Sequence, residues 1–263
     1  MPRPVVLLLG GFLTSPFLYR PFVRRLGARG VADVVTASVW LPDWLLAARH
    51  GLGPILTRSG RALLEASARS ERLSGGAPVL VVGHSAGGMS ARLLTCPEPF
   101  AGRRLNASGR IGAIVTLGTP HHVGADGEMG RRVGAEAATF ANRVVPGAAF
   151  APRVGYLAVG SRAVVGRPEG SLNERRAWRV YQDLLHDPAA TAIPGDGLVP
   201  LESALLEGVP HVVFDDALHG QWPGDWYGSE RFLDEWWWPA RAAWEEALRR
   251  RVELALGDVA QGG

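Results

Sequence analysis

The chain has 263 residues, of which 47% are hydrophobic and 20% are charged. This length and composition fit one soluble globular domain with a large core, and they exclude a disordered chain. All 28 basic residues are arginine, they are scattered along the chain, and 25 acidic residues offset them. Because no basic face is concentrated in one segment, the net charge of +3 does not indicate nucleic-acid binding.

A single cysteine, Cys96, excludes a disulfide within the chain, and no apolar run is long enough to span a bilayer. The apolar residues 5–9 run directly into Gly10 and Gly11 and lack the small-residue cleavage site of a secretion signal. We therefore interpret them as a first strand and expect a cytoplasmic protein.

Short apolar runs alternate along the chain with longer amphipathic stretches, a pattern typical of βαβ units. The runs predict buried strands at 5–9, 31–36, 79–82, 111–117, 154–159 and 209–214. Helices are predicted at 15–29, at 54–72, directly after Ser85, and at 229–256. Several strands are nearly continuous in Val, Ile and Leu, as expected when helices cover both sheet faces. The sequence predicts an α/β fold with a mostly parallel central sheet.

Two segments, 124–151 and 161–195, interrupt this alternation. We interpret both as excursions from a single domain, 1–256, at the edge where the strands end, and we expect 124–151 to form a small cap. The polar, glycine-ended residues 257–263 are predicted to be a disordered tail.

The strongest functional signal is the pentapeptide Gly83-His84-Ser85-Ala86-Gly87, which lies between a predicted strand and a predicted helix. It matches G-x-S-x-G, in which a sharp strand-to-helix turn exposes the serine hydroxyl. Glycines on either side leave room for that turn, and the following helix directs its positive end at a developing anion. The motif therefore predicts that Ser85 is a nucleophile.

A serine hydroxyl needs a base, and the base needs an acid that orients it. After such a turn the acid and then the histidine follow later in the chain. Asp196, in a glycine-flanked loop, and His219, just after the strand 209–214, fit that order best. Asp215 and Asp216 are weaker candidates for the acid because they lie so close to His219.

The oxyanion of an acyl-transfer intermediate needs two backbone N–H groups. Ala86, which follows the nucleophile, should supply one, and Phe12, in the Gly-rich loop after the first strand, should supply the other.

Further candidates for the wall of the substrate pocket follow predicted strands on the same side of the sheet. They are Gly11, Trp40, Trp44, His84 and His121. We predict no metal site, because His121 and His122 are adjacent and their side chains project differently.

Five stretches, 9–15, 83–88, 117–121, 195–200 and 226–229, follow one another over nearly the whole chain. In these the sequence resembles lipase-like α/β-hydrolases, specifically a cyanobacterial and plant group of lipases and esterases. The resemblance implies the α/β-hydrolase fold, a triad of Ser85, Asp196 and His219, and esterase or lipase activity. Many lipases have a histidine before the oxyanion glycine, whereas this chain has Gly10 there.

Together these features lead to the hypothesis of a carboxylic ester hydrolase. Its substrate would be a small ester or a lipid-like molecule, and no metal or organic cofactor would be needed. Two alternatives use the same residues: an acyltransferase with an alcohol or thiol acceptor, and a non-catalytic module whose pocket only holds a ligand.

Overall fold

A parallel sheet lies at the centre of the structure, a computed structural model that describes residues 1–124, 134–185, 190–221 and 224–261. Within these residues six strands pair in the order β2-β1-β3-β4-β5-β8, and every pairing is parallel. The strands are β1 (Val5–Leu9), β2 (Asp33–Thr36), β3 (Val79–His84), β4 (Ile111–Leu117), β5 (Gly155–Ser161) and β8 (His211–Phe214). Two short strands, β6 (Val164–Gly166) and β7 (Ile193–Gly195), form a separate antiparallel pair.

Helices connect the strands of the sheet. In chain order they are α1 (Arg20–Gly27), preceded by a 3₁₀ turn at Pro16–Tyr19, α2 (Leu41–His50), α3 (Gly53–Leu73), α4 (Ala86–Thr95), α5 (Ala135–Val144), α6 (Leu172–Leu185), α7 (Leu201–Ala204) and α8 (Glu230–Gln261).

Both faces of the sheet are covered, because successive side chains of each strand point to opposite sides. In β1, Val5, Leu7 and Leu9 belong to one core, which also includes buried side chains of α2, α3 and α4. Val6 and Leu8 belong to the opposite core, with buried side chains of α1 and α8. These observations confirm the predicted α/β class with a mostly parallel sheet and helices on both faces.

The predicted strands are found with ends shifted by a few residues at most, but several helices had not been predicted. The helix α2 begins beside Trp40, whose backbone N–H donates to Asp43 Oδ2 at 2.9 Å and so caps the first turn. The helix α8 ends at Gln261, five residues beyond the predicted end, so residues 257–261 of the proposed tail are helical.

The two excursions contain α5 on one side and β6, α6 and β7 on the other. Parts of them, residues 125–133 and 186–189, lie outside the described residues. In the first excursion α5 packs on α4, with Ala137, Ala138 and Ala141 in a common cluster with Met89 and Leu93. The second excursion ends at β7, and Asp196 follows that strand directly.

Candidate active site

Ser85 lies on the turn between β3 and α4, with φ of +55° and ψ of −128°. This left-handed backbone conformation is costly for a residue that carries a side chain. A Cβ on Gly83 would collide with the backbone of Gly88, and one on Gly87 would collide with the carbonyl of Leu9. The two motif glycines are therefore required by close backbone approach, and the turn holds the Ser85 hydroxyl clear of the sheet.

The hydroxyl of Ser85 is hydrogen-bonded to a histidine that comes from the other end of the chain. His219 Nε2 lies 3.0 Å from Ser85 Oγ, and His219 Nδ1 lies 2.8 Å from Asp196 Oδ2. Because an ionised carboxylate only accepts hydrogen bonds, His219 donates from Nδ1 and presents Nε2 as an acceptor to the hydroxyl. The structure thus brings together Ser85, His219 and Asp196 in one hydrogen-bonded chain.

The carboxylate of Asp196 is fully buried, with four hydrogen-bond donors in contact. Oδ1 accepts from the backbone N–H groups of Leu198 at 3.0 Å and Val199 at 2.7 Å, and Oδ2 accepts from His219 Nδ1 and the Tyr227 hydroxyl, each at 2.8 Å. Burial alone would raise the pKa of Asp196, but the adjacent His219 and these hydrogen bonds hold it below its ordinary value. The site therefore maintains a buried negative charge behind the imidazole.

The competing acids lie on the surface instead. Asp215 pairs with Arg162 at 2.5 Å, and Asp216 pairs with Arg231. Neither carboxylate is among the hydrogen-bond partners of His219 in the described part of the chain.

Tyr227 is a site residue that had not been predicted, although it lies in the stretch 226–229, one of those in which the chain resembles lipase-like α/β-hydrolases. Its side chain is fully buried, and its hydroxyl donates to Asp196 Oδ2. Burial and the neighbouring carboxylate raise the pKa of Tyr227 well above its ordinary value, so it remains a donor. No spacing rule could have revealed this contact, because it joins two loops that only the fold brings together.

We predict that Tyr227→Phe lowers kcat for ester turnover about tenfold and changes KM little, because it loosens the acid that orients His219. Loss of this donor should also raise the pKa of Asp196. As the pH is lowered, the activity of the variant should therefore begin to fall at a higher pH than the activity of the parent protein. Both effects can be measured from pH–rate profiles. Tyr156→Phe removes a comparable buried hydroxyl, one that accepts from the Phe150 N–H at 3.3 Å, and is the control. Equal effects of the two substitutions would contradict a role for Tyr227 in orienting the acid.

The residues 117–121 also have a structural role that had not been predicted from the sequence. Thr119 Oγ1 donates to the Ser85 carbonyl at 2.9 Å and so braces the turn. Gly118 has φ of +54°, and a Cβ there would approach Asp196 Oδ2 to 2.7 Å. The loop after β4 therefore packs against both the serine turn and the acid.

The loop after β1 lies against the serine from the opposite side. A Cβ on Gly11 would lie 2.9 Å from Ser85 Cβ, so only glycine permits this approach. The Gly11 carbonyl accepts from Thr14 Oγ1 at 2.6 Å, which fixes the loop. In the described part of the chain, the backbone N–H groups of Phe12 and Ala86 have no hydrogen-bond acceptor. Both groups, which had been predicted to bind an oxyanion, are thus free to bind a ligand.

His84 had been proposed as a pocket residue, but it is buried within a network that joins these loops. The Gly11 N–H donates to the Tyr19 hydroxyl at 2.8 Å, and that hydroxyl lies 2.8 Å from His84 Nδ1. His84 Nε2 lies 2.8 Å from the backbone carbonyl of His219, which can only accept. His84 is therefore a neutral donor from Nε2, and its ring ties the loop of His219 to the loop after β1.

Burial, together with the nearby imidazole of His219, lowers the pKa of His84 to about 3. An unfolded histidine binds its proton near pH 6.5, so at intermediate pH the unfolded chain holds a proton that the folded chain does not. The stability that His84 contributes is therefore complete above about pH 6.5 and is lost as the pH falls towards 3. The pKa of His121, also buried, is lowered well below its ordinary value and acts in the same direction.

We predict that the free energy of unfolding falls steeply between pH 6.5 and 4.5, and that His84→Gln reduces this fall by about 2 kcal/mol. Urea unfolding at the two pH values measures it. Tyr19→Phe, which removes the partner of His84 Nδ1 but keeps the imidazole, should retain the steep dependence. An equally steep fall in His84→Gln would show that this imidazole is not responsible.

Of the other proposed pocket residues, Trp44 lines a cavity, Gly11 and His121 are buried, and Trp40 lies on the surface. Trp44 lines a cavity of about 230 Å³ beside Phe12 and Ala86, and its ring meets the Phe12 ring edge-on with centroids 5.4 Å apart. Within the described residues, the cavity wall does not include Gly11, His84, His121 or Trp40. Trp40 is 47% exposed, because it precedes α2 on the surface.

His121 is fully buried beside the equally buried Arg92. Arg92 donates to Asn142 Oδ1 at 2.8 Å and to the Val145 carbonyl at 2.9 Å, and Asn142 Nδ2 donates to the His121 carbonyl at 2.8 Å. Burial lowers the pKa of Arg92 to about 10. These contacts fix α5 and the loop after β4 against α4, the helix that follows Ser85.

Comparison with known proteins supports the fold. No protein-family model matches the chain, and no curated protein is significantly similar to it. Solved structures do match, among them a lipase/esterase from Lactobacillus plantarum, with 12% identity over 92% of this chain and 88% of that one and a TM-score of 0.51. The chain has the α/β-hydrolase fold. The cyanobacterial and plant group suggested by its motifs remains a prediction.

Two further structures show a weaker likeness. A dienelactone hydrolase from Anabaena variabilis aligns with 14% identity over 94% of this chain and 87% of that one, with a TM-score of 0.44. A pyrethroid hydrolase from Sphingobium faniae JZ-2 aligns with 21% identity and a TM-score of 0.32 over 47% of this chain, and the match spans only 43% of that hydrolase.

No helix in the described ranges combines the length and apolar character needed to cross a bilayer.

Proposed function

We propose that the chain is a serine hydrolase that cleaves carboxylic esters of small or lipid-like molecules. The observation that carries this proposal is the continuous hydrogen-bonded chain from Ser85 through His219 to Asp196, with the serine on a strained strand-to-helix turn. The hydrolase names of proteins with the same fold agree with it. This arrangement is suited to acyl transfer, because it couples a nucleophile to a base and the base to a buried acid.

In the proposed reaction, Ser85 Oγ attacks the ester carbonyl carbon while His219 Nε2 takes the hydroxyl proton. Asp196 keeps its charge and stabilises the imidazolium that forms. As the tetrahedral intermediate collapses, His219 donates the proton to the leaving alcohol oxygen and an acyl-serine remains. A water molecule then attacks the acyl carbon, again with His219 as base, and the carboxylic acid and free Ser85 are released.

The negative oxygen of each tetrahedral intermediate is assigned to the backbone N–H groups of Phe12 and Ala86. Both are without an acceptor among the described residues, and Ala86 is the first residue of α4, where the positive end of the helix dipole favours an anion. All proton transfers involve protein side chains and water, so the proposal calls for no metal or organic cofactor. We also propose the cytoplasm as the location, since the one cysteine, Cys96, is free and the chain needs no oxidising compartment for a disulfide.

A fluorophosphonate tests the proposal directly, because it reacts only with an activated serine. We expect the intact protein to be labelled, with the added mass on the peptide that contains Ser85. Incubation with a p-nitrophenyl ester should release p-nitrophenol. A protein that is neither labelled nor active would contradict the proposal and favour a ligand-binding module. Transfer of the acyl group to an added alcohol or thiol, in preference to water, would favour an acyltransferase.

A further inference from the structure

We infer that the acyl part of the substrate is an uncharged chain of about eight carbon atoms, bound in a cavity between α2 and α5. This inference rests on the proposed function and goes beyond it by naming the class of acyl group.

The cavity lies beside the two residues whose N–H groups are assigned to the oxyanion. It has a volume of about 230 Å³, and its wall includes Trp44 and Ala47 of α2 and Ala137 of α5. Phe12, Ala48, Ala86, Phe100 and Glu136 are also part of the described wall.

The position of the cavity relative to His219 decides which half of an ester enters it. The leaving alcohol oxygen must come within hydrogen-bonding reach of His219 Nε2 to receive its proton. His219 is not part of the described wall, whereas Phe12 and Ala86 are. With the carbonyl oxygen directed at those two residues and the alcohol directed at His219, the remaining substituent of the carbonyl carbon extends into the cavity. That substituent is the acyl chain.

The cavity volume sets the length of the chain. A cavity of about 150 Å³ holds a benzene molecule, and typical pockets for drug-sized ligands begin at about 300 Å³. Scaled from that benzene-holding cavity, at roughly 25 to 30 Å³ for each carbon atom, the cavity has room for about eight carbon atoms. An acetyl group would leave most of this space unfilled.

The chemistry of the wall sets the charge of the chain. Trp44, Ala47, Phe100 and Ala137 are buried and offer apolar surface. Glu136 is the one charged residue in the described part of the wall, and it is exposed at the rim. A terminal carboxylate on the chain would lose water without gaining a cation and would approach a like charge. The wall therefore selects against anionic chains.

The inference is tested with p-nitrophenyl esters of acetic acid, octanoic acid and suberic acid, the last with its second carboxyl free. We expect kcat/KM for octanoate to exceed that for acetate, and that for the suberate monoester, by at least tenfold. Ala137→Leu narrows the cavity from α5, and Ala48→Leu narrows it from an exposed position of α2 where folding is not at risk. Each should lower the octanoate-to-acetate ratio of kcat/KM at least tenfold.

Thr139→Leu adds the same side chain to an exposed position of α5 outside this wall, and should leave the ratio unchanged. Equal kcat/KM for acetate and octanoate in the parent protein, or an unchanged ratio in both Ala48→Leu and Ala137→Leu, would overturn the inference. Failure of the proposed function is a different result: no ester is turned over and Ser85 is not labelled by a fluorophosphonate.

Discussion

Replacement of Ser85 by alanine is expected to lower kcat for ester hydrolysis by roughly 10⁴- to 10⁶-fold, the loss found when an acyl-transfer nucleophile is removed. The physical reason is that His219 Nε2 then has no hydroxyl to deprotonate, and no acyl-enzyme can form. The fold should persist, because the substitution removes only the hydroxyl oxygen, loses no packing contact and leaves a residue that fits the same turn. The measurement is steady-state turnover of a p-nitrophenyl ester, with circular dichroism as a check on folding.

Ser90→Ala, in the helix α4 that follows Ser85, provides a control. Ser90 Oγ donates to the Ala86 carbonyl at 3.3 Å and faces no residue of the proposed triad among its described contacts. We expect this variant to retain turnover and fluorophosphonate labelling. Turnover by Ser85→Ala at a rate near that of the parent protein would remove Ser85 from the mechanism.

A comparable loss, about 10⁴-fold in kcat, is expected for Asp196→Asn. The contacts of the carboxylate explain why a substitution of equal size should be so damaging. Oδ1 accepts from two backbone N–H groups, those of Leu198 and Val199, so the single carbonyl oxygen of asparagine would be held there. The amide NH₂ would then face His219 Nδ1, and the imidazole would have to move its proton to Nε2. In that tautomer His219 cannot accept the proton of Ser85.

Asp216→Asn is the matched control, because Asp216 is exposed, pairs with Arg231 and lies three residues from His219. It should leave kcat within about twofold, as expected for a surface ion pair remote from the chemistry. If Asp216→Asn were as damaging as Asp196→Asn, the acid would have been wrongly assigned. Stopped-flow release of p-nitrophenol would further show whether acylation itself is slowed.

The parts of the fold and site that were predictable from the sequence are those set by neighbouring residues. The five residues around Ser85 determine the turn, because glycine is needed at positions where the backbones of β1, β3 and α4 approach each other. The strands were predictable because burial on both faces demands almost unbroken Val, Ile and Leu, as in 5–9. The order of serine, acid and histidine along the chain then favoured one loop, that of His219, as the source of the base.

The contacts that were not predictable join residues distant in the chain. Tyr227 approaches Asp196 only because the segment before α8 packs beside the loop after β7. His84, at the variable position of the motif, had been assigned to the pocket, since its sequence neighbours do not disclose Tyr19 or the carbonyl of His219. Likewise α5 and α6 lie in the two excursions. Their hydrophobic pattern indicates that one face of each helix is buried, but it does not identify the surface against which that face packs.

The backbone of Ser85 has a consequence for anyone who wants to make this chain more heat-resistant. A non-glycine residue in that conformation costs the fold about 1–3 kcal/mol, so a stability-guided redesign would choose glycine at this position first. At this turn, the substitution Ser85→Gly would raise the melting temperature and would also remove the nucleophilic hydroxyl. Thermostable variants should therefore be selected with a screen that reads reactivity together with melting temperature.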